Sequence, residues 1–191
     1  GYTGADIGEY GQPGSNGLAI DKEGRLIIDQ HGNRRVIRIE KKGPVTILAD
    51  QIDGKRFNSP NDIVLKNDGT IYFTDPPYGL PGFFNDPKKE LDYQGVFMIR
   101  NGKVQVVSKD LGGPNGLAFS PDEKYLYVTN WDIRDIHHTK TLWQYEVQID
   151  GSLKNGKVFY DFSFTEDEEA LDGMKVDKEG NLFVSAPGGL W

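Results

Sequence analysis

The chain has 191 residues, 29 acidic against 22 basic for a formal net charge of −7, and no cysteine. That length fits one domain or at most two, and a composition of 37% hydrophobic residues excludes a disordered chain, while no apolar run is long enough to cross a bilayer. The acidic balance argues against a nucleic-acid partner, which clustered Lys and Arg would hold, and the lack of cysteine excludes disulfides, thiolate metal sites and a thiol nucleophile.

The 24 Gly and 10 Pro punctuate short stretches rich in Val, Ile, Tyr and Phe, the pattern of many short strands joined by turns. The chain opens Gly1-Tyr2-Thr3-Gly4, with neither Met nor a basic-then-apolar leader, which reads as a targeting segment absent or removed. A soluble protein is expected, with the compartment open between cytoplasm and periplasm and the oligomeric state unread.

In chain order, residues 16–29 read as a strand, an acidic turn and a second strand, followed by strand-like runs at 35–40 and 45–48. The pattern returns at 61–74, with further runs at 95–100 and 104–107, and residues 79–94 between them form a long insertion suited to a lid. A third copy covers 115–129, one residue longer at its turn, with runs at 142–147 and 158–162. A short helical turn fits 164–170, its charge run Glu166-Asp167-Glu168-Glu169 solvated, and a fourth copy covers 172–185. Gly24, Gly69 and Gly180 each fall eight residues after their repeat's opening residue, where a positive-φ turn position is needed.

Each repeat therefore holds about four strands, and the openings at 16, 61, 115 and 172 recur at the interval of a β-propeller blade. The fold class is all-β, a propeller of four-stranded blades. About three and a third blades are represented, so residues 1–191 are expected to be part of a single propeller domain whose N- and C-terminal blades lie outside them.

Every repeat opens on a short polar residue just before the strand that lines a propeller's central channel. Asn16, Asn61, Asn115 and Asp172 are thus expected to converge on one axis. Their oxygens are hard ligands suited to Ca²⁺; Mg²⁺, Mn²⁺ and, less selectively, Zn²⁺ are also accepted by such donors. His31, His137 and His138 do not occupy the repeated position, which disfavours a Zn²⁺ site of nitrogen and sulfur ligands. The competing reading treats Asn-Gly and Asp-Gly as ordinary turn dipeptides whose side chains cap backbone groups at the channel mouth.

The stretches Arg56-Phe57-Asn58-Ser59-Pro60-Asn61-Asp62, Tyr72-Phe73-Thr74-Asp75-Pro76-Pro77-Tyr78-Gly79, Gly113-Pro114-Asn115-Gly116-Leu117-Ala118-Phe119-Ser120-Pro121-Asp122 and Leu171-Asp172-Gly173-Met174 carry a resemblance. The chain resembles, over essentially its whole length, the senescence marker protein/gluconolactonase (regucalcin-like) family of six-bladed propellers. That resemblance implies one divalent cation, commonly Ca²⁺, held in the channel by a first-blade Glu, a middle-blade Asn and a later Asp. Asn115 and Asp172 match the last two. Asn61 matches a channel Asn that contacts substrate, or the metal directly or through water. Arg56 lies near a family Arg that holds the substrate's oxygens, although the loop here is longer. The first-blade Glu has no counterpart, Glu9 falling instead in a Gly-rich loop.

The implied activity is hydrolysis of a sugar lactone, a small-molecule substrate whose carbonyl is polarised by the cation for attack by water. Asp172 and Asn61 are the catalytic candidates, Asp172 as metal ligand or general base. His31 is a further candidate for substrate binding or proton transfer. Asp75 and Tyr78 follow a strand within reach of the pocket, and of that reading and a rigid Asp-Pro-Pro-Tyr-Gly turn the turn is favoured; Trp131 reads as an apolar wall of the pocket, and His137 and His138 as an exposed connection. Two alternatives remain: an organophosphate or aryl-ester hydrolase on the same site, and a non-catalytic propeller that binds calcium or a protein partner.

Overall fold

The structure, a computed structural model, describes residues 14–134, 139–164 and 169–191. Glu9, His137, His138, the Glu166-Asp167-Glu168 run and most of the 164–170 segment lie outside the described residues.

The first blade is an antiparallel meander of β1 (Leu18–Ile20), β2 (Leu26–Gln30), β3 (Arg35–Ile39) and β4 (Val45–Ala49). A small hairpin, β5 (Gln51–Ile52) and β6 (Lys55–Arg56), leads into the second blade. That blade comprises β7 (Ile63–Leu65), β8 (Ile71–Thr74), β9 (Val96–Arg100) and β10 (Lys103–Ser108). The third comprises β11 (Pro114–Phe119), β12 (Tyr125–Asp132), β13 (Thr139–Val147) and β14 (Leu153–Asp161). A three-stranded sheet of β15 (Met174–Val176), β16 (Leu182–Ala186) and β17 (Gly189–Leu190) completes the series. The expected propeller architecture is present, with the repeated motif forming the inner hairpin of each blade.

Local chemistry closes those hairpins. Asp21 Oδ1 accepts the Glu23 and Arg25 N–H groups at 3.0 and 2.9 Å, and Asp177 Oδ1 accepts those of Glu179 and Asn181 at 3.0 and 2.8 Å. Such Asx turns lead the chain into a left-handed residue, and Gly24, Gly69 and Gly180 have φ of +75°, +88° and +91°. In the third repeat the same place is held by Glu123, at φ +55°. Its carboxylate accepts the Asn67 N–H at 2.6 Å and pairs with Lys66 at 3.3 Å, a tie to the previous blade that a glycine would not make.

The core lies between blades. Ile27, Val36, Phe57, Phe73 and Phe97 fill the first seam, with the Phe57 ring edge-on to Phe73 and Phe97 at 5.2 and 5.3 Å. The second seam holds Tyr72, Met98, Leu117, Leu126 and Tyr145; the third holds Leu142, Phe162, Leu171, Met174 and Val184. Each such side chain contributes about 1.5–3 kcal/mol by leaving water. The inner strands are pressed edge to edge as a result, which brings the repeat openings together. Among the described residues, no helix is long and apolar enough to cross a membrane.

Candidate functional site

The four repeat openings form one hydrogen-bonded series across the blades. Asn16 Nδ2 donates to Asn61 Oδ1 at 3.2 Å, and the Asn61 N–H donates to the Thr74 carbonyl at 2.8 Å. Thr74 Oγ1 donates to the Asn115 carbonyl at 2.7 Å, Asn115 Nδ2 to the Leu171 carbonyl at 3.1 Å, and Thr129 Oγ1 to the Asp172 carbonyl at 2.8 Å. Asn61 and Asn115 are buried, whereas Asn16 and Asp172 are exposed.

Two of the glycines after these residues, Gly17 and Gly116, serve a purpose other than the turn conformation read from the dipeptides. Neither Gly17 nor Gly116 has a positive φ. A Cβ on Gly17 would stand 2.7 Å from Asp62 Cα and 2.8 Å from the Asn61 carbonyl oxygen, and one on Gly116 would stand 2.5 Å from the Asp172 carbonyl oxygen. The backbone of the next blade occupies the space of a side chain, so Gly is required by close approach. This proximity places Asn61 beside the first inner strand and Asp172 beside the third.

The donor set fits a hard cation. Asn115 commits its amide nitrogen to Leu171, which leaves Oδ1 as the free end of the side chain. Among the described residues, no three His, Cys, Asp or Glu side chains gather as a metal cluster. The candidate ligands are the Asn115 amide oxygen, the Asp172 carboxylate and the Asn61 amide oxygen, which keeps a second lone pair beside the bond it accepts from Asn16, a set of the kind that Ca²⁺ takes in flexible geometry.

Behind the openings lies a group of buried acids. Asp29 is completely buried, and neither of its oxygens has a hydrogen-bond partner among the described residues. Burial pushes its carboxyl well above the usual carboxylate range, and nearby Asp62 and Asp75 add to the rise. Asp62 is also raised by burial, against the pull of the Leu117 and Ile63 N–H groups that its oxygens accept at 3.0 and 2.9 Å. Asp75 is pushed up to about 7 by burial, opposed by the Asn58 and Ser59 N–H groups and by Arg34.

The other candidates are less central. His31 is 2% exposed, its Nδ1 lies 3.1 Å from the Pro60 carbonyl oxygen, and burial holds its imidazole below the ordinary value. Its Nε2 is buried and has no hydrogen-bond partner among the described residues. Arg56 is exposed on β6, where its guanidinium donates to the Asn33 carbonyl at 3.1 Å and its N–H to Glu90. The structure therefore joins Asn16, Asn61, Asn115 and Asp172, sets His31 against the loop that carries Asn61, and leaves Arg56 outside the network. In the 79–94 insertion a single 3-10 turn, Phe83–Asn85, is followed by buried Asp86. Tyr78, just ahead of it, donates to the Trp131 carbonyl at 2.5 Å and packs against the Trp131 and Phe84 rings.

Thr74, Thr129 and Asp29 are site residues that motif reading passes over. They share one repeat position, in the second half of each blade's second strand, with Ser185 as the fourth member. Aligning the closing residues as well as the openings would expose them.

Comparison with known proteins bears on the same region. The family model described as SMP-30/Gluconolactonase/LRE-like region matches residues 3–190. A gluconolactonase of Zymomonas mobilis is 38% identical over 193 residues, covering 96% of this chain and 52% of that protein. The solved structure of a gluconolactonase from Xanthomonas campestris is similar with a TM-score of 0.76 at 33% identity, over 92% of this chain and 57% of the other. The calcium-binding protein regucalcin of Agrobacterium tumefaciens shares the fold, with a TM-score of 0.62 at 20% identity over 89% of this chain and 52% of that one. The chain spans about half the length of these relatives.

Proposed function

Because this chain belongs to the SMP-30/gluconolactonase/LRE-like family, we propose that the whole protein is a metal-dependent hydrolase of sugar lactones. Asn115, Asp172 and Asn61 would hold the cation, with Ca²⁺ the ion that best suits oxygen donors of this kind. The observation that carries the reading is the hydrogen-bonded series from Asn16 through Asn61 and Asn115 to Asp172, in which three oxygen-bearing side chains start adjacent inner strands. A cation held there would supply Lewis acidity to the lactone carbonyl.

The chain's own residues do the rest. Asn61, gripped at its backbone by Thr74, offers a rigid amide to the substrate's hydroxyl or carbonyl oxygen. Asp172 is the carboxylate of the series, and as general base it takes the proton as water attacks. The relatives named gluconolactonase support an aldonolactone as the substrate class.

Replacing Asp172 by Ala in the whole protein is expected to abolish both metal binding and lactone hydrolysis. A variant that keeps the wild-type rate would refute the mechanism. Specificity constants for a lactone, a phosphotriester and phenyl acetate are expected to favour the lactone; a phosphotriester preference would move the assignment to the same site's alternative chemistry.

A further inference from the structure

The loop that delivers Asn61 is held by a side chain outside the channel series. Asp75 follows β8 and is completely buried. Its Oδ2 accepts the Asn58 N–H at 2.7 Å and its Oδ1 the Ser59 N–H at 2.8 Å. Asn58 Nδ2 returns to the Asp75 and Tyr93 carbonyls at 3.0 and 2.9 Å. Ser59 Oγ donates to the Pro76 carbonyl at 2.5 Å and accepts the Gly79 N–H at 2.9 Å. Pro60 comes next, with its φ locked by the ring, so an orientation set at residues 58 and 59 passes to Asn61 with little freedom to relax. On the far side the Asn61 N–H is taken by Thr74, the neighbour of Asp75.

The third blade repeats the device. Asn130 follows Thr129 as Asp75 follows Thr74, and its Oδ1 accepts the Gly113 N–H at 2.8 Å. Gly113 stands two residues before Asn115, as Ser59 stands two residues before Asn61. An acceptor side chain at one repeat position thus grips the amide two residues ahead of each buried opening Asn. Burying a carboxylate or an amide this deeply is costly unless its bonds are needed, and in both blades the bonds go to the segment that aims an Asn.

We propose that Asp75 and Asn130 are positioning residues that fix where the Asn61 and Asn115 side-chain oxygens sit. Turnover depends on them although neither touches the substrate. The inference rests on the reading of Asn61 and Asn115 given above, and its test separates the two.

Steady-state lactone hydrolysis is measured in the whole protein for Asp75→Ala, Asp75→Asn, Asn61→Ala and the Asp75→Ala/Asn61→Ala double variant. Asp75→Ala is expected to lower kcat/KM by about 10²-fold, mostly in kcat, since misplacing a catalytic group by about 1 Å costs that much. Asp75→Asn should recover most of the loss, because Asn130 does the same work with an amide. In the Asn61→Ala background the Asp75→Ala loss should shrink to within a few-fold, since the two act through one group. Amide hydrogen exchange at Asn58 and Ser59 should accelerate in Asp75→Ala, and calorimetry should show weaker Ca²⁺ binding in Asn130→Ala.

Wild-type kinetics in Asp75→Ala with Asn61→Ala inactive would overturn this inference alone, as would an Asp75→Ala loss of equal size in both backgrounds or unchanged Ca²⁺ affinity in Asn130→Ala. Wild-type kinetics in Asn61→Ala would overturn the reading of Asn61 and this inference with it. Should Asp75→Ala not fold, Asn130→Ala is measured in its place in wild-type and Asn115→Ala backgrounds, a loss that shrinks in the second background supporting the inference and a loss of equal size in both overturning it.

Discussion

A methyl group added at Gly116 tests whether the blades are held apart by no more than a hydrogen atom. The added Cβ would lie 2.5 Å from the Asp172 carbonyl oxygen and 2.7 Å from Gly173 Cα, where 3.4 Å is the near limit of ordinary contact. All these neighbours are backbone atoms, so no flexible side chain can swing away. The third and fourth sheets must separate by about 1 Å, straining a packed seam at a cost of about 1–3 kcal/mol. Thr129 Oγ1, which donates to that same carbonyl at 2.8 Å, would lose its partner as the seam opens, adding about 1 kcal/mol. Urea unfolding of Gly116→Ala should thus show a midpoint shift equivalent to a loss of about 2–4 kcal/mol. Lactone hydrolysis should fall by up to about 10²-fold, because Asp172 moves with its backbone. A variant within about 0.5 kcal/mol of wild type and fully active would refute the seam argument, since a surface turn glycine without positive φ tolerates Ala at that level.

Other outcomes follow from the same geometry. Thr129→Val keeps the side-chain shape and removes the donor to the Asp172 carbonyl; chemical denaturation should show a loss of about 1 kcal/mol, and an unchanged midpoint would contradict the role given to that hydroxyl. Tyr78→Phe removes the bond to the Trp131 carbonyl and should lower stability by about 1 kcal/mol, with the 79–94 segment showing faster amide exchange; unaltered exchange there would contradict it. The Asp75 carboxyl, raised by burial to about 7 from the ordinary 3.8, keeps its proton in the folded state through a range where the unfolded chain has lost it. Its contribution to stability therefore falls as pH rises through that window, by at most about 1.4 kcal/mol per pH unit, and levels off above it. Thermal melts at pH 5 and pH 8 should show wild type losing ground relative to Asp75→Asn, a comparison that cancels the opposite slope of buried His31; an equal margin at both pH values would contradict the assignment.

The blades were legible because their inner hairpins are built from local chemistry. Asp21 and Asp177 bond to amides two and four residues on, and the turn glycines sit at fixed spacing, so the motif carries its own geometry. The runs at 35–40, 45–48 and 95–100 correspond to β3, β4 and β9 within a residue or so. The outer strands of the third blade extend further, β13 beginning at Thr139 and β14 at Leu153, because Lys154-Asn155-Gly156-Lys157 lacks the alternation that marks a half-buried strand. The two-residue strands of the β5–β6 hairpin are too short to carry a pattern at all.

The candidate site was legible in its ligands and obscure in its supports. Asn61, Asn115 and Asp172 stand out by repetition. The close approach at Gly17 and Gly116, the carbonyls reached by Thr74 and Thr129, and the amides held by Asp75 and Asn130 depend on backbone from another segment of the chain, which residue type alone does not reveal. Glu123 at a left-handed position makes the same point: its φ is set by the turn, but its presence there is explained by Lys66 and Asn67 on the neighbouring blade.

The proposed lactonase is tested most directly by following aldonolactone hydrolysis in the whole protein before and after divalent cations are stripped with a chelator. The rate should fall to background, return when Ca²⁺ is added to wild type, and fail to return in Asp172→Ala. Full hydrolysis by the chelated protein would contradict the proposal.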